Sequence, residues 1–379
     1  MGAPDPRASH RAAAVAAVAA VARRYADQVD ASGRFPSEAV DAMREHRLLG
    51  CALEEEVPLR ELSMLTMRIS AACASAGMIF AMHQSQALVF RRHGETPAMR
   101  ALALEAVADQ WLLASCTTER ATRGDVGQSR CSVLPAGETF TLQKDAPVIS
   151  YGEEADAILI TARRDDEANP DDQVLALIPS SALTLSRTST WDATGMRGTC
   201  SHGFEVSAFA HMDLVFTTSY GEIASTTEVP ASHTLWSAAW LGIATESLST
   251  AIDFAQRRKP ASEVAPATLL AMRLAELRQR VDTLRSLVRD AALTFDLGSP
   301  ELTGALRYNQ LKMLAADTVV DVTTGCLRLV GIEGYLTQGP FTVARHVRDA
   351  LSAPLMISNE RLLLNNARIG HVKIGLYGD

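Results

Sequence analysis

From residue 12 to residue 22 the chain is unbroken alanine and valine, and Arg23, Arg24, Tyr25, Asp27, Gln28 and Asp30 then interrupt it up to residue 31. Alanine is the strongest helix former, so this pattern predicts a helix over 12–31. Pro36 opens a second helix through 38–47, because proline is tolerated at the first helical position. Residues 61–90 are mostly apolar with few breakers and read as one long helical stretch. Its 71–80 portion is small and apolar, which predicts burial. A further helix is expected to end near Trp111.

The texture changes near Leu112. From there to about Val229, short β-rich runs alternate with Gly, Pro, Asp and Asn. Strands are predicted over 111–117, 140–143, 157–161, 174–179 and 203–206, with 164–172 a charged turn, so this part reads as an antiparallel β domain. After Ala231 the pattern is helical again. Leu270, Leu274, Leu277, Val281, Leu284 and Val288 recur at alternating spacings of four and three, the seam of a long bundle helix. A helix over 309–330 follows, Gly331 and Gly334 break the chain, and helices over 341–351 and 359–367 close it. The expected architecture is α+β and multidomain: a helical domain over 1–112, a β domain over 113–229 and a four-helix bundle over 230–379.

Composition narrows the function. A chain of 379 residues exceeds one simple core, which agrees with several domains. Its net charge of -8, with no Lys/Arg-rich run, argues against a nucleic-acid partner. The six cysteines show no CxxC spacing and no accompanying histidine cluster, so no metal site is expected and the thiols read as those of a reduced, cytoplasmic protein. Arg7 and Arg11 before the apolar 12–22 run give the charge order of a signal peptide. Arg23 and Arg24 follow at once and the run is alanine rather than leucine, so an amphipathic helix fits better. No stretch reaches membrane-spanning length without charges, and no membrane association is expected.

Four local motifs carry chemistry. Ser115-Cys116-Thr117-Thr118-Glu119 precedes Gly124-Asp125. Val148-Ile149-Ser150-Tyr151-Gly152 precedes Ala155-Asp156. The stretch from Trp191 to His202 contains Gly195-Met196-Arg197-Gly198-Thr199. Gly331-Ile332-Glu333-Gly334-Tyr335 precedes Arg345-His346-Val347-Arg348-Asp349-Ala350. With the block order, these motifs resemble the acyl-CoA dehydrogenase superfamily over most of the chain. The corresponding family segments are Thr-Glu-Pro…Gly-Ser-Asp, Trp-Ile-Thr-Asn-Gly, Gly-Met-Arg-Gly-Thr and Gly-Gly-x-Gly-Tyr…Glu-Arg-x-x-Arg-Asp-Ala.

The resemblance implies a bound FAD. It assigns Thr117, Thr118 and Ser150 to the isoalloxazine edge, where hydroxyl or backbone donors stabilise the reduced anion. It assigns Gly331 and Gly334 to the adenine half of FAD on a neighbouring subunit, because glycine lets the backbone approach closely. Arg328 stands where the family usually has a Gln that meets FAD. Ala255-Gln256-Arg257 resembles the start of the family's Arg-x-x-Phe-Gly, whose guanidinium suits the pyrophosphate. A shared cofactor implies a homotetramer or homodimer. Gly195 and Arg197 are read as shaping a β-turn beside substrate or flavin, Arg197 being either structural or a ligand contact, and Arg348 with Asp349 is read as a structural ion pair.

The departures from the family bear on the reaction. Arg120 replaces the Pro of the first motif, no Ser precedes Asp125, and Val148 replaces the flavin-covering Trp. The family's catalytic Glu is replaced by Met356 or Ile357. Its alternative position falls near Ala231-Ser232-His233, again without a carboxylate, and Glu360 lies a turn too late to face the flavin. His83 and His233 become the candidate catalytic residues, imidazole being a competent base near neutrality. The implied activity is oxidoreduction of an acyl thioester on CoA or a carrier protein, with an electron acceptor. The runner-up is a two-component monooxygenase using O2 and flavin from a separate reductase, supported by the missing Glu and by His83 with Ser150. A redox-neutral cyclase and a non-catalytic flavin-binding subunit are the remaining alternatives.

Overall fold

A computed structural model describes residues 6–257, 264–298 and 304–369. The first block holds α1 (Pro6–Ser32), α2 (Ser37–Glu45), the short α3 (Cys51–Glu54), α4 (Leu59–Ala72), α5 (Ala74–His93) and α6 (Pro97–Ala108). The stretch read as one long helix over 61–90 is two. Cys73 turns to extended geometry, φ -148° and ψ 112°, and ends α4. α5 then folds back so closely that a Cβ on Gly77 would collide with Ser70. Apolar spacing was legible in both halves; the single-residue reversal carries no Gly or Pro to announce it.

Seven strands follow: β1 (Leu113–Cys116), β2 (Leu134–Ala136), β3 (Thr139–Ile149), β4 (Ala157–Arg163), β5 (Gln173–Pro179), β6 (Leu183–Ser189) and β7 (His202–His211). One sheet has the order β2-β3-β7-β6 and is antiparallel throughout. The other has the order β1-β4-β5, with β4 antiparallel to β5 but parallel to β1. β2 and β6 escaped the sequence reading because β2 is three exposed residues with a proline at its centre, and β6 is largely exposed and mostly polar. β3 runs well past residue 143 because inward positions continue through Lys144. That lysine is buried, and its Nζ donates to Thr161 O at 2.7 Å and Thr161 Oγ1 at 2.8 Å. An ion at a core position thus reads as a strand break although its donors are satisfied.

The last block holds α7 (Tyr220–Ile223), a π-helical turn over Ala224–Glu228, α8 (Val229–Arg257), α9 (Val264–Asp296), α10 (Gly304–Val330), α11 (Ile332–Tyr335), α12 (Ala344–Ala350) and α13 (Asn359–Ile369). α8 is the central rod: Trp240, Ile243 and Ala244 are fully buried, with α4 and α5 on one side and α9 and α10 on the other. The predicted seam on α9 is present, with Leu277, Val281, Leu284 and Val288 buried. Three long helices and the broken side formed by α12 and α13 make up this bundle. Among the described residues no helix is long and apolar enough to cross a membrane, and no cluster of His, Cys, Asp and Glu could hold a metal ion. The six cysteines are free and buried.

Candidate functional site

The ends of β1 and β3 converge. Thr118 Oγ1 donates to Val148 O at 3.4 Å, which joins the first motif to the second. Ser150 Oγ lies 2.8 Å from Ser201 Oγ, which lies 2.9 Å from Thr199 Oγ1, which in turn donates to Met196 O at 2.9 Å. Segments some thirty to eighty positions apart therefore form one hydroxyl-lined cradle in which Thr117, Thr118 and Ser150 are half-buried. Glu119 braces it from behind: the buried carboxylate accepts from Ser129 Oγ at 2.9 Å, Arg130 N at 2.9 Å and Cys131 N at 3.3 Å. Tyr151, in the turn after β3 with a left-handed φ of 43°, points into the core and donates its hydroxyl to Leu113 O at 3.1 Å. Arg361, which the sequence reading missed, donates to Arg123 O at 3.0 Å beside Gly124. It brings a guanidinium to the Gly124 turn of the first motif.

The Gly195–Thr199 turn is held from three sides. Met196 N donates to Asp349 Oδ1 at 2.6 Å, and Gly198 N to Ser75 Oγ at 3.2 Å. Gly195 packs directly on the Arg348 carbonyl, where any Cβ would overlap it. The sequence reading has Arg197 shaping a turn beside substrate or flavin, with a structural role at least as open as a ligand contact, and its contacts here are structural. Its guanidinium donates to Asp30 O at 2.8 Å and Ala193 O at 2.9 Å, pairs with Asp192 at 3.2 Å, and clasps the turn to the end of α1. Arg348 and Asp349 are structural, but not through one another: Arg348 is bound to Asp30, and Asp349 caps Met196 N. Burial pushes the Asp349 carboxyl up to about 6.

The histidine expectations also change. His83 is fully buried; Nε2 is 2.8 Å from Leu49 O, and Nδ1 accepts from Leu113 N at 2.9 Å. Both ring nitrogens are spent on backbone groups, which fixes the neutral tautomer. Burial lowers its pKa to about 4. In this arrangement His83 staples α5 to the Leu49 and Leu113 backbone. His233 is wedged against Trp236, ring centroids 5.5 Å apart, and hydrogen-bonds the Tyr308 backbone. Burial, then the nearby Lys312, lowers it to about 3.

Two buried groups were missed. Lys312 has no exposed surface, and its Nζ donates to Ala353 O at 3.1 Å, Ile357 O at 2.8 Å and Asn359 Oδ1 at 2.8 Å. It thereby fixes the segment that lacks the family's carboxylate, with Ile357 at a left-handed φ of 46°. Its signal was a lysine inside the apolar 309–330 helix. The other is Glu228, on the π-helical turn, whose Oε1 accepts from Gln86 Nε2 at 3.0 Å. Burial raises its carboxyl. Of the other carboxylates near the helical segments, Glu360 and Glu333 are exposed and Glu246 is bound by Arg23.

Arg257, Arg328, Gly331 and Gly334 belong to a second region. Arg257, exposed at the end of α8, stacks over Phe341 at 5.4 Å, and Arg328 is exposed at the end of α10. Gly331 takes φ 72° and ψ -140°, a conformation reserved for glycine, while Gly334 seats against Val330 and Val343. Ile332, Tyr335 and Leu336 beside them are exposed.

The N-terminal and C-terminal domain models of acyl-CoA dehydrogenase match residues 7–110 and 227–357. Cyclohex-1-ene-1-carbonyl-CoA dehydrogenase of Geobacter metallireducens is 24% identical, with 85% of this chain and 86% of that protein covered. The solved butyryl-CoA dehydrogenase of Megasphaera elsdenii superposes with a TM-score of 0.84 at 18% identity, covering 98% of this chain and 100% of that one. A dibenzothiophene monooxygenase of a Paenibacillus species does so with a TM-score of 0.82 at 20% identity, covering 98% of each chain. Both domain models belong to one family and together span more than half of the sequence, with the hydroxyl cradle between them: the chain belongs to the acyl-CoA dehydrogenase superfamily and is a flavoprotein oxidoreductase.

Proposed function

We propose that this enzyme binds FAD and oxidises an acyl thioester carried on CoA or on a carrier protein, passing the electrons to a separate acceptor. The observation that carries this reading is the convergence of Thr118 on Val148 and of Ser150 on Ser201. A bound flavin supplies hydride acceptance. Thr118 Oγ1 and Ser150 Oγ, whose protons go to Val148 O and Ser201 Oγ, would present half-buried acceptor oxygens to the N–H groups of its polar edge, with Thr117 beside them. The Ser150–Ser201–Thr199 chain ends on the Met196 carbonyl, so Thr199 must donate there, which leaves Ser201 free to donate to Thr199 and Ser150 to Ser201. Arg361 at the rim suits a phosphate of the same cofactor.

The second region supports sharing of FAD between two copies. Arg257, Arg328, Gly331 and Gly334 lie at the ends of α8 and α10, next to Ile332 at 70% and Tyr335 at 68% exposure. An apolar rim of that kind fits an obligate dimer or tetramer.

A second reading, oxygenation with reduced flavin from a partner reductase, is favoured by one observation. The Ala353–Asn359 segment is anchored by Lys312 and presents Met356 and Ile357 where the family's base stands. His83 no longer contributes to that reading, because its ring is committed to Leu49 and Leu113. Mass analysis of the incubated thioester separates the two. Loss of two hydrogens without O2 supports oxidation. Gain of one oxygen, only with O2 and added reduced flavin, overturns it in favour of oxygenation.

A further inference from the structure

The stretch from Asp349 to Arg361 is tied to the cradle at both ends. At one end Asp349 Oδ1 accepts from Met196 N at 2.6 Å, and the Met196 carbonyl closes the Ser150–Ser201–Thr199 hydroxyl chain. At the other end Arg361 donates to Arg123 O at 3.0 Å, in the loop that follows Thr117 and Thr118. The segment between these ends therefore runs from the Gly195–Thr199 turn to the Gly124 turn, along the cradle.

In its middle the segment is held from beneath by one side chain. Lys312 Nζ donates to Ala353 O at 3.1 Å, Ile357 O at 2.8 Å and Asn359 Oδ1 at 2.8 Å. An ammonium has three donors, and all three are spent on this one segment. Asn359 is turned to receive it, because its own Nδ2 donates to Asp317 Oδ1 at 3.3 Å. The Trp240 ring lies 5.6 Å from Nζ. The local bonds of the segment, Met356 N to Ser352 O at 3.0 Å and Asn359 N to Pro354 O at 3.1 Å, shape it but attach it to nothing outside itself. Ile357 carries strain: a φ of 46° is an outlier for a β-branched residue and persists only where the surroundings over-determine it. Its carbonyl is one of those that Lys312 holds. A buried ammonium is costly unless hydrogen-bonded, so a lysine devoted to one segment argues that the segment's placement matters.

We propose that Lys312 is a positioning residue, whose ammonium sets the Ala353–Asn359 segment as a strap beside the cradle so that Met356 and Ile357 shield the bound flavin from water. Met356 packs against the core, which gives the strap an apolar underside. Water exclusion strengthens the electrostatic interactions on which flavin chemistry depends. Lys312 acts through the strap and touches no reacting atom. The effect on rate rests on the thioester reading above; the shielding does not.

The flavin-loaded wild type is compared with Lys312→Met, whose side chain is of similar length and has no donors. Amide hydrogen exchange across 353–359 is expected to quicken about tenfold in the variant, the protection of roughly one hydrogen bond. Iodide is expected to quench the flavin fluorescence more strongly, because the strap no longer covers it. Anaerobic flavin reduction by thioester, per bound flavin, is expected to slow about tenfold to a hundredfold with little change in the half-saturating concentration, the mark of positioning rather than binding. If Lys312→Met does not fold or hold flavin, Asn359→Ala removes one acceptor from a partly exposed position and is expected to move each readout the same way by less. Unchanged exchange overturns Lys312 as the anchor. Faster exchange with wild-type quenching and rate makes the lysine merely structural and overturns the positioning role. A wild type that no thioester bleaches overturns the thioester reading alone, and exchange with iodide quenching then decides for or against the strap.

Discussion

His83 shows how a residue that looks chemical becomes structural. Its imidazole accepts from Leu113 N and donates to Leu49 O, so it ties α5 to the entry of β1. Replacing it with phenylalanine leaves both backbone groups buried and unpaired, at about 1–3 kcal/mol each. His83→Phe is expected to lower stability by about 2–4 kcal/mol in denaturant melts while each folded, flavin-loaded molecule keeps its turnover. Loss of turnover with unchanged stability would contradict this. Because the folded pKa is depressed to about 4, the stabilising contribution is present above the usual imidazole value and lost as pH falls toward 4. That acid-side slope should be shallower in His83→Phe. Asp349 has the opposite sign. Its carboxyl is raised to about 6, so its contribution is fully present below the ordinary carboxylate range and lost as pH rises through about 6. Asp349→Asn keeps an acceptor for Met196 N and should flatten that slope, whereas Asp349→Ala should cost about 1–3 kcal/mol by orphaning the amide. A steeper slope in Asp349→Asn would contradict the assignment. At this scale the sequence reading was weakest, because whether a buried histidine meets substrate or a carbonyl depends on elements distant in the chain.

At the scale of elements, the cradle is a meeting of strand ends and one turn. Thr118 and Ser150 occupy the ends of β1 and β3, and the Gly195–Thr199 turn joins them through Ser201. Thr118→Ala with Ser150→Ala is expected to lower flavin occupancy or shift the flavin potential without loss of helical content. Unchanged occupancy and potential would remove these hydroxyls from the cofactor site. Gly195→Ala must displace the Arg348 carbonyl, so the turn should detach from α12. The expected readout is a stability loss well above the helix-neutral average, together with weaker flavin retention; wild-type melting would contradict it. These elements were legible in advance because glycine and hydroxyl positions in motifs report backbone geometry directly. The α4–α5 reversal at Cys73, the parallel β1–β4 pairing and the π-helical turn before α8 were not legible. Each is imposed by packing between elements and leaves no local mark in composition or spacing.

At the scale of the whole molecule, helical, β and helical blocks were readable from periodicity, and the α9 seam fell where its leucines and valines placed it. What periodicity cannot reach is the ionisable side chains buried across blocks: Lys144 within the sheets, Lys312 beneath the Ala353–Asn359 segment and Glu228 beside Gln86. The exposed Ile332 and Tyr335 beside Gly331 bear on assembly. Ile332→Glu with Tyr335→Glu is expected to give a smaller species in sedimentation and to release flavin; a monomeric wild type that holds flavin tightly would contradict sharing. The central claim is that an acyl thioester reduces the flavin and that neither His83 nor His233 is its base. The most direct measurement is anaerobic rapid mixing of thioester with flavin-loaded wild type, His83→Phe and His233→Phe, following flavin absorbance. The account predicts bleaching in all three, with rates per bound flavin within about tenfold, since loss of a true general base costs about 10²–10⁴-fold. Bleaching abolished in either variant, or absent from the wild type while reduced flavin and O2 give oxygenated product, would contradict it.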